Sequence, residues 1–288
     1  MKLPERVTII GLGLMGGSLA LALQGSGVRV TGVDLDEGTR TAALATGSVV
    51  QVTGVWEEGV AEADLIVLAT PVQHILKMVV ALSGFKKGGV VIDLGSTKGV
   101  IVAAMGGMGA EWEAVGGHPM CGREIAGWTG ATADLYEGAT FALCRTERTT
   151  PKAAEWAEGL VEVVGAERLW LTAERHDFLT GMSSHVPYVA AAALMRAAVG
   201  VGDDGVWGMS ASGFRDTSRV SGTSPAVMSD ILWTNRKAVL AHLAAYEAEL
   251  GVLRAALAEG DEAGVRAWAE GAAAGYARYR QAVGRPLP

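Results

Sequence analysis

His118 stands alone in Gly116-Gly117-His118-Pro119-Met120-Cys121-Gly122-Arg123-Glu124, a stretch too rich in glycine for a helix. An imidazole titrates near neutral pH with little adjustment, so a histidine fixed by a following proline suits acid/base chemistry. The same residue also suits a polar surface turn. Ser96, in Leu94-Gly95-Ser96-Thr97-Lys98-Gly99, has two roles open to it. It can cap a helix predicted over 98–108, or its hydroxyl can reach a substrate or the imidazole. Gly11-Leu12-Gly13-Leu14-Met15-Gly16 follows the β-branched run Val7-Thr8-Ile9-Ile10 and leads into a helical stretch. Strand, GxGxxG turn and helix in that order form a dinucleotide fingerprint. Gly11 permits the tight turn, Gly13 lets backbone approach a pyrophosphate, and Gly16 allows close helix–strand packing. Leu14 and Met15 complete the turn at a helix N-terminus that faces the negative charge.

These residues need a sheet to hold them. A second strand over 28–33 ends at Asp34, eighteen residues after Gly16, where a carboxylate can accept hydrogen bonds from an adenosine ribose and repel a 2′-phosphate. NAD is therefore expected rather than NADP, although Arg40 lies six residues on. Asp34 also fits a turn ahead of a helix over 36–46. The apolar run Ala63-Asp64-Leu65-Ile66-Val67-Leu68-Ala69 reads as a strand buried on both faces of a parallel sheet, stopped by Thr70-Pro71 before a helix over 72–82. A strand over 89–93 ends just before Ser96, and another over 114–116 delivers His118 to the same edge. Ligands lie beyond the carboxyl ends of parallel strands, so Thr70, Pro71 and Ser96 are candidates to line the nicotinamide end.

The chain has 288 residues, half of them hydrophobic, which is enough for two domains. A net charge of −7 with scattered lysines and arginines argues against nucleic acid or an anionic membrane as partner. Two cysteines, Cys121 and Cys144, offer no disulfide framework; Cys144 reads as a core thiol, and a reducing compartment, the cytoplasm, is expected. The first six residues lack the pattern of a signal peptide, and the apolar run from Val186 to Val199, broken by Pro187, Tyr188 and Arg196, reads as a buried helix rather than a membrane span. No metal site is expected.

After a helix over 151–164 and a strand over 168–171, alternation gives way to alanine-rich helical spacing over 173–199, 226–257 and 262–281. The fold class is thus α/β at the N-terminus, a Rossmann-type parallel sheet over residues 1–171, followed by an all-α domain over 172–288. His176 and His185 fit hydrogen-bonded core positions, and a kink at Pro187 could instead present His185 to the cleft. His74 and His242 have no motif around them and read as surface residues. Val239, Leu240, Leu243, Leu250, Leu253 and Leu257 leave more apolar surface than a small helical domain buries, so a homodimer through this half is expected.

Together, Gly11 to Ser18, Asp93 to Lys98, Gly117 to Gly122, Ser184-His185-Val186-Pro187 and Gly213-Phe214-Arg215-Asp216-Thr217-Ser218-Arg219 resemble the prephenate/arogenate dehydrogenases of tyrosine biosynthesis over roughly residues 5 to 250. The resemblance implies a 6-phosphogluconate-dehydrogenase-like architecture with a dimerising helical domain. It also implies an NAD-dependent oxidative decarboxylation of prephenate or arogenate. In that chemistry a hydride leaves ring C4, His118 accepts the hydroxyl proton, and carbon dioxide leaves as the ring becomes aromatic. Ser96 would hydrogen-bond His118 or the substrate hydroxyl. Arg219 would bind a substrate carboxylate near Asp216, unless it pairs with Asp216 instead.

Two positions depart from the family pattern. Arg123 replaces a small hydroxyl residue before Glu124, where it can meet a substrate carboxylate or pair with Glu124. Tyr188 replaces a second histidine three residues after His185. No C-terminal regulatory domain and no chorismate mutase bundle are expected. A β-hydroxyacid dehydrogenase or an imine reductase shares the architecture, but these rely on a lysine where this chain has Ser184 and His185. A non-catalytic NAD sensor would not need His118, Ser96 and Arg219 together.

Overall fold

The β-branched run after residue 6 forms β1 (Arg6–Ile10), the strand from which the sheet grows to both sides. The computed structural model describes residues 3–85, 87–123 and 125–282. After β1 come α1 (Leu14–Ala22), β2 (Arg29–Val33), α2 (Glu37–Ala45), β3 (Gln51–Thr53), α3 (Trp56–Val60), β4 (Leu65–Leu68), α4 (Val72–Ser83), β5 (Gly89–Asp93), α5 (Gly99–Gly106) and β6 (Trp112–Pro119). Then follow β7 (Thr140–Arg145), α6 (Pro151–Val163) and β8 (Glu167–Leu171). The sequence pattern left β3 and α3 unseen because both are too short to show a period.

The described strands form one eight-stranded sheet in the order β3-β2-β1-β4-β5-β6-β7-β8. Alternation along each strand splits the core between the two faces: Leu65 and Val67 of β4 join Val7, Ile9, Val90 and Ile92 on one side, while Ile66 and Leu68 join Ile10 and Val91 on the other. β1 pairs with both β2 and β4, so the chain order reverses beside it and a crevice opens at the carboxyl ends. The sheet is parallel through β6, as expected, but β7 runs antiparallel to β6 and β8 follows β7. The connection from β6 explains the reversal. It crosses α1, with Thr132 N bonded to Ser18 Oγ and Tyr136 Oη bonded to Met15 O at 2.6 Å, and so enters β7 at the end where β6 stopped.

The chain divides into two compact units, Met1–Arg236 and Lys237–Pro288. The first carries the sheet and also α7 (Ala173–Thr180), α8 (Val186–Gly200), α9 (Gly205–Gly208), α10 (Ser212–Ser218) and α11 (Pro225–Thr234). The helix expected over 173–199 is therefore two helices joined by a π-helical turn, Gly181–His185. Pro187 lies in the first turn of α8, where its missing N–H is tolerated, rather than at a kink within one helix. Nor is α8 a buried helix: only Val186 and Ala191 are buried, and Val199 is 62% exposed. The helix expected over 226–257 breaks at Asn235, whose side chain is committed elsewhere.

The second unit holds the rest of α12 (Arg236–Glu259) and α13 (Glu262–Ala282). No residue of α13 is buried, and Leu240, Leu250 and Leu257 of α12 are exposed. His242 is buried, contrary to its expected surface position. It lies one turn after buried Val239 and so shares that residue's helix face. Among the described residues no helix is long and apolar enough to cross a membrane.

Candidate active site

A cleft of about 1070 Å³ opens at the carboxyl ends of β1 and β4. Gly13, Leu14 and Met15 line it from one side, and Thr70, Pro71 and Ser96 line it from the neighbouring strand ends, so the sheet brings together what the motifs suggested separately. Gly11 adopts φ +94°, and a Cβ on Gly16 would stand 1.8 Å from Gly11 O, which explains the glycine at both positions. A Cβ on Gly13 would meet open space, and no side chain caps α1. Uncapped helix N–H groups beside an open glycine fit a phosphate. Thr70 Oγ1 is buried with no hydrogen-bond partner among the described residues, which fits a further polar group arriving in the cleft.

Asp34 is both a turn residue and a candidate ribose acceptor. Its Oδ2 accepts from Leu12 N at 2.8 Å and its Oδ1 from Asp36 N at 2.9 Å, locking the end of β2 to the glycine-rich turn. Arg40 does not reach outward: its Nη1 donates to the Asp34 and Leu35 carbonyls at 2.7 and 2.9 Å.

His118 is half-buried near the end of β6, and Pro119, which donates no hydrogen bond, closes the strand. The two glycines before it serve close packing rather than a turn. A Cβ on Gly117 would stand 2.5 Å from Asp93 O, and Lys98 passes against Gly116. Lys98 is fully buried, its ammonium bonded to Asp93 Oδ2 and to Gly117 O. Asp93 also accepts from Gly95 N and Gly117 N, so a single buried ion pair fixes both the Ser96 turn and the backbone entering His118.

The His118 ring meets a second imidazole. Its Nδ1 lies 2.7 Å from His176 Nε2, with the rings edge to face, and His176 Nδ1 lies 2.9 Å from Asp177 Oδ1. Asp177 further accepts from Lys98 N at 2.7 Å and Gly99 N at 2.8 Å. Burial alone pushes the Asp177 carboxyl up, but its hydrogen bonds from His176 and these two amides outweigh that and hold it below the usual carboxylate value. Burial, together with the nearby His176, Lys98 and His185, keeps the His118 imidazole well below its ordinary value, so it stays neutral at physiological pH.

Ser96 does not cap α5. Asp177 does so from α7, and Ser96 Oγ, without a hydrogen bond to any described residue, lines the cleft. Arg219 lines the cleft from the 3₁₀ turn Arg219–Gly222. Asp216 is exposed and pairs with Arg215 at 3.0 Å. Arg123 lines the cleft and pairs with Asp134 at 3.2 Å; Glu124 lies outside the described residues. His185 is buried away from the cleft lining and bonded to Asn235 at 3.1 Å, while Tyr188 is half-buried and also outside the lining. Burial pushes the His185 imidazole down to about 4.

The pattern missed Asp177, Lys98, Asp93 and Asn235 as parts of the site. The pair His176-Asp177 was the one local signal available.

The sheet order, the glycine-rich turn and the crevice beside β1 define a Rossmann-type dinucleotide-binding protein. The prephenate dehydrogenase nucleotide-binding domain matches residues 19–169, and the prephenate dehydrogenase dimerization domain matches residues 172–270. The chain is 32% identical to a Bacillus subtilis prephenate dehydrogenase over 248 residues, 83% of this chain and 66% of that protein. It is 30% identical to a Zymomonas mobilis cyclohexadienyl dehydrogenase over 267 residues, 91% of each. The crystal structure of a prephenate dehydrogenase from A. aeolicus, in complex with hydroxyphenyl propionate and NAD+, superposes with a TM-score of 0.88 at 26% identity, covering 96% of this chain and 99% of that one. The chain belongs to the prephenate dehydrogenase family.

Proposed function

We propose that the protein catalyses the NAD-dependent oxidative decarboxylation of prephenate to 4-hydroxyphenylpyruvate, or of arogenate to tyrosine. The observation that carries this is the position of His118, half-buried and outside the cleft lining but at the carboxyl end of β6, on the sheet edge that also holds the open glycine cradle, Ser96 and Thr70. NAD bound in the cradle supplies the hydride acceptor. The backbone of Gly11, Gly13, Leu14, Met15 and Gly16 would hold its pyrophosphate and Asp34 its ribose, with Thr70, Pro71 and Ser96 at the nicotinamide end. The A. aeolicus relative, solved with NAD+, supports the cofactor.

His118 accepts the C4 hydroxyl proton as the C4 hydride departs; the ring carboxylate leaves as carbon dioxide on aromatisation, and the phenolate oxygen so formed takes the proton back from His118. Ser96 Oγ, with its hydrogen bonds unspent, orients the substrate hydroxyl. Arg219 presents its guanidinium to a substrate carboxylate at the cleft wall. The functional division falls at residue 172, between the two family domains, and the protein acts as a homodimer in the cytoplasm. The exposed Leu240, Leu250 and Leu257 support the dimer.

Purified protein with NAD or NADP and either prephenate or arogenate, followed by absorbance of the reduced nicotinamide, tests the assignment. Turnover of neither substrate overturns it. Arg219→Ala should raise the apparent KM far more than it lowers kcat, and an unchanged KM rejects its role. Light scattering that finds only the 29.7 kDa species at micromolar concentration rejects the dimer.

A further inference from the structure

We infer that Asp177 and His176 are positioning residues: they fix His118 as the Nδ1–H tautomer with Nε2 free to accept the proton, and His176 takes over the Nδ1 proton once Nε2 is protonated. The inference rests on His118 being the base proposed above.

The donor order follows from one end of the chain of contacts. An ionised carboxylate only accepts. Asp177 is held in that form by three N–H donors, two of them the amides of Lys98, the residue before α5, and Gly99, its first residue. His176 Nδ1 must therefore carry a hydrogen towards Asp177. With His176 neutral, its Nε2 is a lone pair, and 2.7 Å away His118 Nδ1 must be the donor, since two facing lone pairs at that distance would repel. The remaining nitrogen of His118, Nε2, is then unprotonated. His185 shows the opposite order. Asn235 Nδ2 donates to its Nδ1 and to Asp177 O, so the hydrogen of His185 sits on Nε2.

The same contacts give the proton a destination. The substrate O–H bond breaks and the His118 Nε2–H bond forms; the His118 Nδ1–H bond then breaks and a His176 Nε2–H bond forms. His118 is then neutral, and the positive charge rests on His176 against the Asp177 carboxylate until carbon dioxide leaves; the phenolate oxygen then takes the Nε2 proton and His176 returns its own to His118 Nδ1. The groups facing His118 favour this transfer. Lys98 opposes a second cation beside Gly117, although Asp93 partly balances it, and His185 and Cys144 supply no negative charge. Burial disfavours a charge on either ring, and of the two only His176 has a carboxylate hydrogen-bonded to it among the described residues. Asp177 is thus the carboxylate placed to receive the charge, and it acts through His176.

Long-range ¹H–¹⁵N correlation on the intact, histidine-labelled protein tests the tautomer without any substrate, at about pH 8 where imidazoles are neutral. The chain has 5 histidines, each assignable by substitution. The expected spectrum has His118 protonated at Nδ1 and His185 at Nε2. A wild-type His118 protonated at Nε2 overturns the inference. His176→Gln can accept the Nδ1–H bond through its side-chain carbonyl but cannot take the proton. It should keep the His118 tautomer and the substrate KM while kcat falls about 10-fold or more. An unchanged kcat in this variant overturns the transfer to His176. Loss of turnover in the wild type with both substrates would instead defeat the proposed reaction, and the tautomer result would stand apart from it.

Discussion

The cleft and the polar block around His118 are built on opposite plans. The cleft is made of backbone: a left-handed Gly11, an open Gly13 and uncapped amides at the start of α1, joined to Asp34 only 22 residues from Leu12. The block is made of side chains, with Asp93, Lys98, His176, Asp177, His185 and Asn235 all at most 8% exposed. Its contacts span 58 residues between His118 and His176 and 79 between Lys98 and Asp177. A backbone cradle tolerates an open, wet site and recognises a common cofactor. A buried side-chain network excludes water and fixes one proton at one atom, at the risk that any lost partner leaves a charge unpaired.

The largest expected effect lies in the block. His118→Asn should lower kcat by about 10²–10⁴-fold while the NAD dissociation constant, measured by fluorescence titration, stays near wild type. A comparable loss of NAD binding would mean that the two regions are not separable. Next is Lys98→Met, which strands Asp93 in the core and should cost about 3–5 kcal/mol in urea unfolding. Adding Asp93→Asn should recover part of that loss, because the stranded charge is then gone. No recovery would show that packing, not charge, holds the pair.

Acid should weaken the block in a defined window. His118 and His185 remain neutral in the folded protein while the unfolded chain takes up protons below about pH 6.5. Stability is therefore fully present above that value and falls as pH drops towards 4. His185 alone accounts for roughly 3 kcal/mol over that interval, at about 1.4 kcal/mol per pH unit. Urea midpoints that stay level from about pH 7 to 5 would contradict this. In the cleft, Gly13→Ala should leave the melting temperature unchanged and loosen NAD about 10-fold, near 1.4 kcal/mol, whereas Gly16→Ala, blocked by Gly11 O, should lose the fold. Smallest of all, Arg123→Ala breaks an exposed ion pair and should move stability by less than about 0.5 kcal/mol, with any effect confined to the choice between prephenate and arogenate.

The same contrast decides what was legible in the sequence. Gly11 to Gly16, Asp34 and the strand ends at Thr70 and Ser96 are local patterns, and the sheet that carries them follows from alternating runs of β-branched and helical residues. The reversal at β7 was not legible, because it depends on where the connection over α1 comes to rest, and that connection follows no period. Ser96 was open to a capping role because serine caps helices, yet the cap came from Asp177 on a helix that no local pattern ties to α5. His185 was open to the cleft because Pro187 was expected to kink one long helix. The π-helical turn instead carries the ring inward to Asn235. Arg123 and Asp134 lie eleven residues apart in an irregular stretch, where no periodicity predicts a partner.

Asp177 is at once the cap of α5 and the end of the imidazole chain, and this makes two backbone amides into reporters. Any fluctuation that exposes the Lys98 and Gly99 amides to solvent exchange must release the carboxylate that orders both histidines. Protection of those two amides against deuterium should therefore rise and fall with the fraction of molecules competent for proton abstraction, so that local opening at one helix end sets the ceiling on activity as temperature climbs.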